Sequence, residues 1–169
     1  WTKKKFMVLT RQAWSENDQH PLQGIYDLNL KNLSGSATIG DGVEVYPSNI
    51  PSAGNGLFAT RAFLFGEVVT GFSGSLIQYA EARTLSDPSY ARTLVLGYLV
   101  VDGERKPQPG LGGGSFANDG GPAQVPNNCV FHTIETTLGL PTLVLVALGP
   151  IEAGTEILVS YGRSYWYNR

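Results

Sequence analysis

The residues best suited to chemistry are two asparagine-bearing loops, a glycine turn and a tyrosine. Ser115-Phe116-Ala117-Asn118-Asp119 precedes Pro126-Asn127-Asn128-Cys129, and an apolar run then leads to Glu156-Ile157-Leu158-Val159-Ser160-Tyr161-Gly162. An asparagine side chain both donates and accepts hydrogen bonds, so Asn118, with Asn127 or Asn128, suits the grip of a ligand carrying both kinds of group. Upstream, Gly54-Asn55-Gly56 allows a tight turn whose main chain a ligand can approach closely, because two of its residues lack a Cβ. Tyr161 adds a phenol hydroxyl at the end of an apolar strand. Taken singly, each has a plainer use. Gly-x-Gly joins strands at a surface, an Asn/Gly/Pro cluster makes an ordinary loop, and a tyrosine on an edge strand packs.

Other chemistries lack their parts. Cys129 is the only cysteine, which excludes an intramolecular disulfide and a multi-cysteine zinc site. His20 and His132 lie far apart, so no metal is expected. Gly54-Asn55-Gly56 is not a dinucleotide fingerprint, which needs a third glycine and a following helix. Here Arg61-Ala62-Phe63-Leu64-Phe65-Gly66 leads into another strand. A net charge of −2 argues against broad nucleic-acid binding and slightly favours a basic peptide partner. No apolar run approaches the length that spans a membrane as a helix. With 42% hydrophobic residues, the 169-residue chain can bury a core, so disorder of the whole is excluded and one domain is expected.

The elements that must position these residues are short strands between Gly and Pro punctuation. Residues 1–42 read as a loosely organised flank, with Lys3-Lys4-Lys5 before a strand at Phe6–Leu9. The domain proper is expected over 43–169. Strands are expected at Val43–Tyr46, Leu57–Ala59, Glu67–Phe72, Leu96–Val101, Val130–Thr137, Thr142–Leu148 and Glu156–Tyr161. A hairpin turn is expected at Asp102-Gly103. Gln78–Leu85 is the best helix candidate, ending near Pro88, with a second short helix at Tyr90–Leu94. Pro107 to Gly114, with two prolines and four glycines, cannot be regular structure. The result is mainly β with little helix, and too irregular for a simple sandwich.

Together these segments resemble the SET domain family of protein lysine methyltransferases. Gly56-Leu57-Phe58-Ala59, Phe65-Gly66-Glu67-Val68-Val69 and Phe72-Ser73-Gly74 follow the family's order and spacing. Ser115-Phe116-Ala117-Asn118-Asp119 resembles its Arg-Phe-Ile-Asn-His-Ser motif, and Val125-Pro126-Asn127 its Cys-x-Pro-Asn, with Asn128 an alternative match. Pro150-Ile151-Glu152-Ala153-Gly154-Thr155 with Glu156 to Gly162 resembles the closing motif. Three departures stand out. Asp119 replaces a histidine, Phe72 stands where a tyrosine is common, and Gly120-Gly121-Pro122-Ala123 looks like an insertion.

The resemblance implies a SET-type fold of several short-stranded sheets with a knot-like C-terminal segment. It also implies S-adenosylmethionine as cofactor, no metal, and transfer of a methyl group to a lysine of a protein or peptide, a histone among the candidates. On the family's pattern Tyr161 is catalytic. Gly54, Asn55, Gly56, Asn118, Asp119 and Asn127 hold the cofactor, and Phe72, Phe131, Val159 and Trp166 wall the substrate channel. A histone substrate would place the protein in the nucleus, another substrate in the cytoplasm. Neither direct nucleic-acid nor membrane binding is implied, and the oligomeric state is left open. Two alternatives stay open: a SET-fold binding module with weakened catalysis, and methylation of a residue other than lysine in a non-histone protein.

Overall fold

A computed structural model describes residues 36–95, 98–135 and 141–167. Most of the expected flank, including the strand at Phe6–Leu9, lies outside the described residues. In chain order the strands are β1 (Thr38–Ile39), β2 (Gly42–Pro47), β3 (Asn55–Ala59), β4 (Val68–Gly71), β5 (Gly74–Gln78), β6 (Ala91–Val95), β7 (Leu99–Gly103), β8 (Cys129–Glu135), β9 (Pro141–Ala147) and β10 (Glu156–Ile157). Among the described residues there are two short α-helices, α1 (Tyr79–Ala82) between β5 and β6 and α2 (Arg163–Tyr167) after the last strand. The strands form three sheets, ordered β1-β2-β3-β10, β4-β9-β8 and β5-β7-β6. The mainly β, helix-poor SET-type architecture expected from the sequence is present.

The apolar runs explain the core. β9 carries Leu143, Val144, Leu145, Val146 and Ala147 at 0–4% exposure, so both of its faces are covered. That fits a central strand made of β-branched and aliphatic residues. Leu145 meets Leu57, Val69, Ile151, Ile157 and Val159 in one cluster, which ties the first two sheets together. Each such side chain contributes roughly 1.5–3 kcal/mol through burial. Residues 37–42, assigned to the flank by sequence, pack into this body. Ala37 and Ile39 are buried, and the Ala37 N–H donates to the Val69 carbonyl at 2.8 Å.

Several local expectations change in the fold. Tyr90–Leu94 is not helical. Pro88–Tyr90 forms one 3-10 turn capped by the Asp87 side chain, and Ala91–Val95 pairs with β7 as an edge strand. The helix expected over Gln78–Leu85 shortens to the single turn α1. Asp102-Gly103 is no turn but the end of β7, paired with Ser75 and Gly74 of β5. β5 is not among the expected strands, since Leu76 and Ile77 stand side by side without alternation and most of the strand is exposed. The segment expected as one strand at Glu156–Tyr161 changes partners along its length. Glu156 and Ile157 pair with β3, Leu158 bridges Asn118, and Val159 bridges Cys129. The C-terminal segment therefore threads between β3 and the loop that carries the asparagines.

Candidate active site

A cavity of about 530 Å³ opens where that threading occurs. This is within the roughly 300–1,000 Å³ of small-molecule sites. Its polar end carries Gly54, Asn55, Asn118 and Asp119, and its aromatic end the touching rings of Phe72 and Phe131 and those of Tyr161, Tyr165 and Trp166, with Arg92 against three of them.

The polar end is built around Asn118 and Glu156. The Asn118 Nδ2 donates to the Asn55 carbonyl at 2.9 Å, joining the asparagine loop to the glycine turn. It also lies 3.4 Å from Glu156 Oε1. Glu156 is only 6% exposed, and its carboxylate accepts the Ser48 hydroxyl at 2.6 Å and the Asn49 N–H at 2.8 Å. A buried carboxylate must be satisfied in this way. Gly54 sits at φ +74°, the left-handed region that favours glycine, with open space around it. Gly56 has a different reason. A Cβ there would lie 2.3 Å from Glu156 Oε1, so the close packing of β3 on Glu156 requires its absence. Gly56 does not line the cavity.

Asp119 organises the seam between the ends. Its Oδ2 accepts the Tyr161 N–H at 2.8 Å and the Trp166 indole N–H at 3.0 Å. Its Oδ1 accepts the Gly121 N–H at 2.9 Å and the Asn127 amide at 3.1 Å. Burial pushes this carboxyl up, but the four hydrogen bonds, that from the Tyr161 N–H foremost, outweigh it and hold it below the usual value. The residue that departs from the family's histidine thus spends its carboxylate on the chain itself, tethering α2 and the inserted loop.

The two asparagines left unresolved by sequence have separate places. Asn127 accepts the Gly120 N–H and donates to Asp119, closing the inserted loop. Asn128 grips the closing segment twice, donating to the Glu156 carbonyl at 2.8 Å and accepting the Leu158 N–H at 2.9 Å. Neither lines the cavity.

At the aromatic end the Tyr161 hydroxyl donates to the Ala117 carbonyl at 2.8 Å. Burial pushes its pKa up to about 12, although Arg92 pulls the other way, so the phenol stays protonated at neutral pH. Phe72 and Phe131 meet edge to face at 5.8 Å, as aromatic pairs prefer. Trp166 lies near-parallel to Tyr161, and Tyr165 packs edge-on to both. Val159, expected on the channel wall, is instead fully buried in the core. The alternation of a short strand does not reveal which face turns to a cavity and which to a core. Two contributors escaped the sequence. Tyr165 had only its place beside Trp166 to mark it, and Arg92 sits on a strand read as a helix.

A family model for the SET domain matches residues 54–162, the greater part of the chain, and the chain belongs to the SET domain family. Proteins of this family are in general protein lysine methyltransferases that use S-adenosylmethionine. A comparison with curated proteins finds no match.

The site's residues fit such a cofactor. The open Gly54 turn, the polar side chains of Asn55 and Asn118 and the indole of Trp166, 43% exposed, all line the cavity, so polar and aromatic surfaces are both present.

Proposed function

We propose that this protein methylates lysine side chains of a protein substrate with S-adenosylmethionine, with a histone the first candidate. The observation that carries it is the convergence at Ala117-Asn118. One residue takes the Tyr161 hydroxyl on its carbonyl, and the next reaches the Asn55 carbonyl with its amide. The glycine turn, the asparagine loop and the tyrosine therefore meet on one cavity.

S-adenosylmethionine supplies a methyl group on a cationic sulfur when bound. Gly54, Asn55 and Asn118 would hold it, with Asp119 fixing Tyr161 and Trp166 beside it. The substrate amine must arrive neutral, and free lysine titrates near pH 10.4. Burial among Phe72, Phe131 and Tyr161, with the Arg92 cation on the same cavity, would lower that value. The Tyr161 phenol, with its pKa near 12, acts as a hydrogen-bonding fixture and not as a base. Rate would come mainly from alignment and exclusion of water. A histone substrate would put the protein in the nucleus, and any other protein substrate would fit the cytoplasm.

A cofactor-binding module without turnover is the second reading. It is favoured by Arg92 at the aromatic end and by the missing hydroxyl at Phe72. The test is transfer of label from methyl-labelled S-adenosylmethionine to core histones and to a whole-cell lysate, with Tyr161→Phe alongside. Label mapped to lysine and lost in the variant is expected. Label on another residue type would point to the non-lysine alternative. No label despite calorimetric cofactor binding would sink the proposal in favour of the silent module.

A further inference from the structure

The aromatic end of the cavity already holds a cation. The Arg92 guanidinium carbon lies 4.5 Å from the Tyr161 ring centroid, 5.3 Å from Tyr165 and 5.6 Å from Phe131. Three rings within about 6 Å of one positive group make an aromatic cage of the kind that recognises organic cations. Arg92 is held there by its own strand and the turn before it, its Nη1 donating to the Ala91 carbonyl at 2.9 Å and the Ser89 carbonyl at 3.1 Å. β6 is an edge strand, paired on one side only, so the side chain can leave the cage without breaking a ladder on a second side.

We propose that Arg92 is a specificity-determining residue that occupies the place of the substrate amine, and that the preferred substrate is a lysine next to an acidic residue. The role holds only if the aromatic end is the amine channel proposed above. A lysine side chain entering the cage meets a guanidinium and gains nothing until that group moves. A carboxylate beside the lysine would pair with Arg92 in a bidentate manner and draw it toward the cavity wall. Arg105 does not share in this bias, because Asp102 and Asp87 already engage it. Its side chain lines the cavity and lies 3.0 Å from Asp102. Of the cavity's lining residues only Asp119 carries a carboxylate, and four hydrogen bonds from the chain already fill it. An acidic substrate side chain would therefore find its guanidinium partner at Arg92, since Asp102 and Asp87 already engage Arg105.

Binding, read without turnover, tests this. Tetramethylammonium is titrated into the full chain and into Arg92→Met and Arg92→Gln, with Arg105→Gln as a control that removes an equal charge outside the cage. Both Arg92 variants are expected to bind the probe about tenfold more tightly than the wild type, and Arg105→Gln within about threefold of it. Equal binding by the Arg92 variants and the wild type would overturn the cage assignment. Equal tightening by Arg105→Gln would show bulk charge at work, and would overturn it as well. On the wild type alone, fluorescence anisotropy compares two lysine peptides that differ by Glu or Gln beside the lysine. The Glu peptide is expected to bind at least fivefold more tightly, and no preference would overturn the substrate class. Absence of methyl transfer, with the probe result as expected, would remove the enzymatic reading and leave the cage standing.

Discussion

Asp119→Asn tests whether the histidine-replacing carboxylate is a structural tether. The carboxylate accepts four hydrogen bonds, two on each oxygen. An amide keeps one oxygen and turns an NH₂ group toward two donors. Asn127 cannot flip to compensate, because its oxygen already accepts the Gly120 N–H at 2.9 Å. Two bonds to a charged acceptor are lost, each worth about 1.5–3 kcal/mol. Gly121 and Trp166 are exposed, so water recovers part of this. The net loss is expected at about 2–4 kcal/mol in guanidinium unfolding at pH 7, with the slope unchanged. The sign with pH follows from the lowered pKa in the fold. The stabilisation is complete above the unfolded value of about 3.9 and is lost as pH falls through the lower folded value. The gap between wild type and variant should therefore hold near neutrality and close in acid. A gap under about 1 kcal/mol at pH 7, or one that stays constant into acid, would refute the tether.

Gly56→Ala should destabilise the fold by about 1–3 kcal/mol and weaken cofactor affinity, since its Cβ would meet Glu156 Oε1 at 2.3 Å; unfolding and calorimetry check both. Burial pushes the Cys129 thiol up to about 12, so alkylation at pH 7.5, followed by mass, should be negligible in the folded protein and rapid in denaturant. Burial also lowers the His132 pKa from 6.5, so the unfolded chain binds its proton first. Stability should be full above about pH 6.5 and fall as pH drops through the window below it. His132→Gln should flatten that slope in unfolding curves measured across the window.

The sequence alone determined the motifs, most of the strands that carry the core, and the family. Those features are local. Apolar runs such as Thr142–Leu148 declare burial by themselves, and Gly54 and Asn118 stand in motifs of fixed order. What only the tertiary structure decided is which residues meet. Glu156 takes the Ser48 hydroxyl from 108 positions away, and Tyr161 reaches Ala117 across 44. No local pattern encodes such partners. Val159 and Tyr161 lie two residues apart, yet Val159 is fully buried in the core and Tyr161 lines the cavity. The closing segment leaves β3 after Ile157, and beyond Val159, which bridges Cys129, the Tyr161 N–H turns to the Asp119 side chain, so a regular strand alternation no longer holds. Asn127 and Asn128 are adjacent amides of identical chemistry, and only the path of the threaded segment gives one the inserted loop and the other the closing segment. Arg92 shows the same limit most sharply. Its charge is plain in the sequence, but its cage is assembled from β8, α2 and the segment before α2, which only folding brings to β6.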